Sequence, residues 1–256
     1  LIAKVLQETT NENVKMNGVS ALSSLFIGEP VPESALILKG IPLLCRYLQD
    51  ESNAEILENV GFALAHVSKN KAIMDCIIGC KVVPHLVKML NSLSDTSVLS
   101  ACLMLVHNII GGSEEQAAEI LQEKELIPAL LKLAGNSNST VRREVCKTAA
   151  NITKGQSSQA ELVMGNSGLV EKLIKMAEKE GQSIANEAVY ALVNSTKNCI
   201  PPQAIRLLEV GVFECLVTKI GSIQDVKLLL AMLDAIENCL KWGKEFQLLD
   251  ESGQNK

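Results

Sequence analysis

RREVCKTAANITKG, residues 142–155, decides the fold, because its pattern returns along the chain at a near-constant interval. Alignment with SALSSLF (20–26), FALAHVS (62–68), MLVHNIIGG (104–112), YALVNSTKN (190–198) and DAIENCLKWG (234–243) puts Ser24, His66, Asn108, Asn151, Asn194 and Asn238 in one register. Those positions lie 42, 42, 43, 43 and 44 residues apart. A second set, Pro42, Pro84, Pro128, Glu171 and Glu214, opens apolar segments such as PLLCRYL and PHLVKML at intervals of 42, 44, 43 and 43. Two independent landmarks with one period argue against an ordinary helical bundle, which has no reason to keep such a beat.

Composition narrows the field further. Of 256 residues, 47% are hydrophobic but only seven are aromatic, so the core must be aliphatic. The net charge of −5 lacks the basic excess of a nucleic-acid binder. No run approaches the ~18 apolar residues that cross a bilayer, and LIAKVLQETT lacks the features of a secretory leader, so the sequence reads as soluble and intracellular. Because that opening has no Met and starts in an apolar helical pattern, an excised segment is expected. The eight cysteines are scattered, mostly in apolar runs, which disfavours a disulfide framework. No phosphate cradle, HExxH, G-x-S-x-G or paired CxxC motif occurs, the three histidines are isolated, and Cys76 and Cys80 alone make a poor metal site. Neither enzyme activity, cofactor nor metal is expected.

Each unit reads as a short helix, a second helix near the Pro or Glu landmark, and a longer third helix carrying the aligned residue. Pro suits a first helical turn, where its missing N–H costs nothing. Three helices in 42–44 residues fall in the armadillo/HEAT length class. The expected fold is all-α: a right-handed superhelical armadillo-repeat solenoid of about six repeats. It is read as one domain over 1–246, with the first repeat incomplete and the last open to truncation, followed by a frayed tail at 247–256. Apolar surface at cut repeat ends predicts a dimer through Leu1, Val5 and their neighbours or through a 228–248 helix.

Counted from the aligned position, offsets −6, −2 and +1 of each third helix are largely apolar and form the predicted buried stripe. Offsets −7, −4 and 0 fall on another face. They read Asn59, Phe62, His66; Ala101, Met104, Asn108; Glu144, Lys147, Asn151; Glu187, Tyr190, Asn194; Ala231, Asp234, Asn238. Asn carries a donor and an acceptor, matching the N–H and C=O of an extended peptide laid across it. The competing reading is that these carboxamides bond neighbouring helix ends.

With those residues identified, the sequence resembles importin-alpha, the armadillo adaptor of nuclear-localisation-signal proteins. The likeness is clearest in RREVCKTAANITKG, NEAVYALVNSTKN followed by PPQAIRLLEVGVFECL, LVHNIIGGSEEQ and LDAIENCL. It covers nearly the whole chain and looks like the carboxy-terminal two thirds of that family's repeat array. The resemblance implies a concave groove whose third helices pair an Asn with a Trp four residues earlier, with acidic residues receiving basic heads. The Asn half stands at Asn108, Asn151, Asn194 and Asn238, and the acidic element at Glu144 and Glu187. The Trp positions hold Ser20, Phe62, Met104, Lys147, Tyr190 and Asp234, which predicts weakened pockets for Lys and Arg. The implied partners are extended, basic cargo peptides in cytoplasm and nucleus, and an importin-beta-type receptor if an amino-terminal arm exists. Nucleic acid and membrane are not expected. The alternative function is an armadillo scaffold that uses the same groove for a partner without such a signal.

Overall fold

The computed structural model describes residues 2–28, 32–197 and 199–245, and all regular structure among them is helical. Sixteen α-helices follow in order: α1 Ile2–Glu8, α2 Glu12–Ile27, α3 Ser34–Asp50, α4 Ala54–Val67, α5 Lys71–Gly79, α6 Val83–Ser92, α7 Thr96–Ile110, α8 Glu114–Leu121 and α9 Leu126–Leu133. Then come α10 Ser139–Lys154, α11 Ser157–Met164, α12 Ser167–Lys179, α13 Gln182–Ser195, α14 Pro201–Val210, α15 Val212–Lys219 and α16 Val226–Glu245. The aligned positions all fall on the predicted third helices, α2, α4, α7, α10, α13 and α16. The chain forms two compact units, residues 1–129 and 130–256. The tail expected to fray at 247–256 lies outside the described residues, as does Leu1.

Within the first unit α2 packs on α4 and α4 on α7. Gly61 of α4 permits this approach: a Cβ there would stand 2.8 Å from Cβ of Ala101 on α7. Within the second unit α10 packs on α13 and α13 on α16. Gly211, at φ +94°, lets α14 turn directly into α15, a conformation that costs a residue with a Cβ but not glycine. The predicted core stripe is buried: Val60, Leu64 and Val67; Cys102, Val106 and Ile109; Val145, Ala149 and Ile152; Ala188, Leu192 and Met232. Ile236 is half-buried. Of the surfaces expected to pair in a dimer, Val5 is exposed, as are Leu230 and Leu233 on α16, whereas Leu228 is buried.

Proline behaves as expected at Pro84 and Pro128, in the first turns of α6 and α9. Pro42 does not: α3 runs straight through it, merging the first two helices of that repeat. A proline inside a helix costs about 3 kcal/mol through its lost hydrogen bond and ring clash. Here Ile37, Ile41, Leu44 and Leu48 are all buried along one side of α3 and hold the helix together across the break.

The starts of the third helices keep the same beat as their ends. The side chains of Asn11, Asn53, Asp95, Asn138 and Asp225 each accept two backbone N–H groups from the first turn that follows. Gly181 stands at that place before α13 and provides no side-chain cap. Its backbone is extended, and a Cβ there would meet no other atom within 4 Å. Asn138→Ala should therefore lower unfolding free energy by about 1 kcal/mol, while Gly181→Asn should raise it by a few tenths. Chemical denaturation of the two variants checks both signs.

Candidate functional site

The second stripe of the third helices is neither fully exposed nor uniform. Phe62, His66, Met104, Asn108, Lys147, Asn151, Glu187, Tyr190, Asn194 and Asn238 are half-buried, and Asp234 is exposed. Ala101 and Glu144 are buried, which corrects the expectation that this stripe stays out of the core. Ala101 faces Gly61, and Glu144 is paired with Lys147.

The carboxamides point their donors at the preceding third helix. Asn108 Nδ2 donates to Ala65 O at 2.8 Å and to Ser68 Oγ at 2.9 Å, at the end of α4. Asn194 Nδ2 donates to Ala150 O at 3.1 Å near the end of α10. Asn238 Nδ2 reaches Thr196 O, just past α13, at 3.4 Å. Ala65 O also accepts from Ser68 Oγ at 2.8 Å and Ala150 O from Thr153 Oγ1 at 3.3 Å, so the carboxamides add a second tie to carbonyls near the helix ends. The helix-end reading thus describes the donor side of all three residues. Among the described residues, Oδ1 of Asn108, Asn194 and Asn238 accepts no hydrogen bond. Each of the three keeps an acceptor whose direction is set by the anchored NH₂ group.

The charged positions are already matched with one another. Lys147 Nζ lies 2.9 Å from Glu144 Oε1, and the Glu144 residue is only 3% exposed. Arg143 lies 3.6 Å from Glu187. The acidic residues expected to receive basic heads therefore have cations of this chain beside them. Tyr190 points its hydroxyl at Asp225, 3.3 Å away, joining α13 to the N-cap of α16. Burial, reinforced by the Asp225 charge, raises the phenol, which stays a neutral donor. Backbone N–H bonds, from Leu228 above all and from Lys227, together with the Tyr190 hydroxyl hold Asp225 below the usual carboxylate range.

Other polar ties escaped the sequence reading. Arg142 forms a two-pronged pair with Glu180, at 2.7 and 2.9 Å, and also donates to Asn136 O and Ser137 O at 2.8 Å each. Gln116, third in α8, accepts from Ser113 N and donates to Asp75 at 2.6 Å. Gln203 repeats this in α14, accepting from Ile200 N and donating to Glu161 at 2.7 Å. The recurrence of Gln116, Gln159 and Gln203 at 43 and 44 residues was the available signal.

The Asp225 carboxylate, anchored by a depressed folded pKa, stabilises the α16 start above its unfolded pKa of about 3.9. That contribution is lost as pH falls through the lower folded value. An NMR titration should place Asp225 below ordinary aspartates, and Tyr190→Phe should move it part of the way back up.

No family model matches the chain. Importin subunit alpha-3 of Arabidopsis thaliana is 31% identical over 142 residues, covering 53% of this chain and 26% of the relative. Importin subunit alpha-1a of Oryza sativa subsp. japonica is 28% identical over 144 residues, 56% of this chain and 27% of the relative. The matched region thus spans about a quarter of these curated relatives. Among solved structures, the designed armadillo repeat protein YIII(Dq)4CqI superposes with a TM-score of 0.82 at 21% identity, covering 93% of this chain and all of that one. A second designed armadillo repeat protein, solved in complex with peptide (KR)4, gives 0.79 at 22% identity and covers 93% of this chain and 99% of its own. The chain has the armadillo-repeat fold and is similar in sequence, over about half its length, to importin alpha subunits.

Proposed function

We propose that this chain is a peptide-binding adaptor of the importin-alpha kind, whose third-helix faces hold an extended segment of a cargo protein. Its role would be nuclear import, between cytoplasm and nucleus, with basic signal peptides as ligands. One observation carries the reading: Asn108, Asn194 and Asn238 each anchor the donor end of the carboxamide and leave Oδ1 as a fixed acceptor. An acceptor already held in place binds a peptide N–H without losing further rotamer freedom. The sequence relation to importin alpha subunits and the peptide complex of the designed neighbour support the same reading. Asn151 stands at the equivalent position of α10.

The charges shape what binds. A ligand lysine directed at Glu144 must displace Lys147 or sit beside it, and two like charges ~4 Å apart repel by about 4 kcal/mol gross at an effective dielectric of 20. Phe62 and Tyr190 are the aromatic surfaces left for stacking, and Glu187 shares its charge with Arg143. Basic peptides should therefore bind weakly. This internal pairing also favours a second reading, in which the same face serves a scaffold that holds a partner without a basic signal.

Calorimetry with a Lys/Arg-rich peptide separates the two. Lys147→Trp should tighten binding about tenfold or more, since a cation over an aromatic face contributes ~0.5–2 kcal/mol and a repulsion is removed. Asn194→Ala with Asn238→Ala, checked for retained helicity, should weaken it. If neither change alters a measurable affinity, the adaptor reading is wrong; if no basic peptide binds even the Lys147→Trp protein, the scaffold reading replaces it.

A further inference from the structure

Consecutive third helices pack on each other four times within the two units: α2 on α4, α4 on α7, α10 on α13 and α13 on α16. Their contacts share one register. Offset −5 of one helix meets offset −7 of the next, as Gly61 meets Ala101. Offset +2 meets offset −3, as Thr153 Oγ1 donates to Ala191 O at 3.1 Å. Offset −1 meets offset 0, as Ala65 O and Ala150 O receive Asn108 and Asn194. Where a third helix follows in this way, offset −5 is buried, at Val19, Gly61, Cys146 and Val189. Where one precedes, offset −3 is buried, at Ala63, Leu105, Ala191 and Ala235.

Two helices depart from this pattern, each on one side. Leu233, at offset −5 of α16, is 48% exposed; with Leu230 at 59% and Val226 at 67% it makes an apolar stripe at i, i+4 and i+7 along one face. On α2 the opposite side is open. Ala21, at offset −3, is exposed, and Val14, at offset −10, is 39% exposed although Ile56, Ile184 and Leu228 at the same offset are buried. Val14 lines a groove of about 400 Å³ between α1 and α2, together with Ile2, Val5, Asn13, Asn17 and Gly18. Among the described residues, no large hydrophobic side chain is exposed between Leu36 and Ile200.

We propose that copies of this chain associate head to tail, the α16 stripe of one copy docking on the α1–α2 groove of the next. There α2 of the second copy takes the place of a following third helix. In the chain's own register Leu233 then meets Asn17, at offset −7, and Leu230, one turn earlier, meets Val14, one turn before Asn17. A second copy is the occupant because it carries both open halves of an interface that the chain already makes four times. No charged residue stands in the way: Val226, Leu230, Leu233 and the six groove residues are all neutral. Pairing α16 with α16 would cover the stripe but leave the groove open. A head-to-tail junction covers both, and because each added copy brings a new stripe and a new groove, association continues past two unless the rotation closes a ring.

The test is sedimentation of the full chain between micromolar and near-millimolar concentration, where the mass should rise beyond one copy. Leu233→Asp and Val14→Asp, both at exposed positions and checked for helicity by circular dichroism, should each weaken association by at least about tenfold. The two variants are blocked on different sides, so their mixture keeps one good stripe and one good groove. It should form a one-to-one dimer and nothing larger. A wild-type chain that stays monomeric throughout, association that depends on only one of the two positions, or a mixture no more associated than its components would each overturn the proposal; the wild-type series needs no variant to fold.

Discussion

Backbone carbonyls near the end of a third helix are tied, in this chain, by side-chain N–H groups of the next third helix. Asn108 serves α4, Asn194 serves α10, and Asn238 serves the residue after α13. Thr153 on α10 also bonds Ala191 O on α13, at 3.1 Å. Apolar burial is non-directional and would tolerate a sliding contact between smooth aliphatic helices. A hydrogen bond from a fixed side chain to a fixed carbonyl does not. It sets where one third helix stands along its neighbour, and a repeat length of 42–44 residues is the consequence in sequence.

The parts of the fold that depend on period were legible in the sequence: the three helices of each repeat after α4, the buried stripe at offsets −6, −2 and +1, and the place of each aligned residue. The parts that depend on which atom faces where were not. An Asn at the end of a helix looks the same in sequence whether its NH₂ points to a helix end or to a ligand, and only coordinates separate the two. Pro42 misled because its local preference is for a helix start, whereas the buried row around it extends over both sides. Residues with a signal in plain sight also went unread. Asn11, Asn53, Asp95, Asn138 and Asp225 repeat on the same beat as the aligned positions, and so do Gln116 and Gln203. Apart from Gln203, which sits in the apolar stretch CIPPQAI, they lie in polar segments where the apolar pattern is silent.

Charge on the second stripe follows from the same closeness of packing. Glu144 is buried, and a carboxylate taken out of water must find a cation or bind a proton. Lys147, three residues on, occupies the position where the resembled family carries Trp, and it neutralises Glu144 at 2.9 Å. The substitution therefore does more than delete a stacking surface. It places a cation of the same helix beside Glu144, so that a basic ligand has less to gain there.

The recurrence of Asn, more than the charges, bears on the binding role proposed for this face. Holding a carbonyl of the preceding helix requires a short side chain with an N–H donor. Asp offers none, and Ser195 and Thr196 bond carbonyls of their own helix, while the hydroxyl of Thr153 reaches forward to the next third helix at Ala191 O rather than back to the preceding one. Stacking thus explains the donor half of the carboxamide. It makes no use of the acceptor half, which is carried along in a fixed direction on every rung described in this way. A side chain chosen for packing consequently presents an unspent acceptor at Asn108, Asn194 and Asn238, and the N–H groups of an extended backbone are donors that such acceptors can meet without regard to side-chain identity.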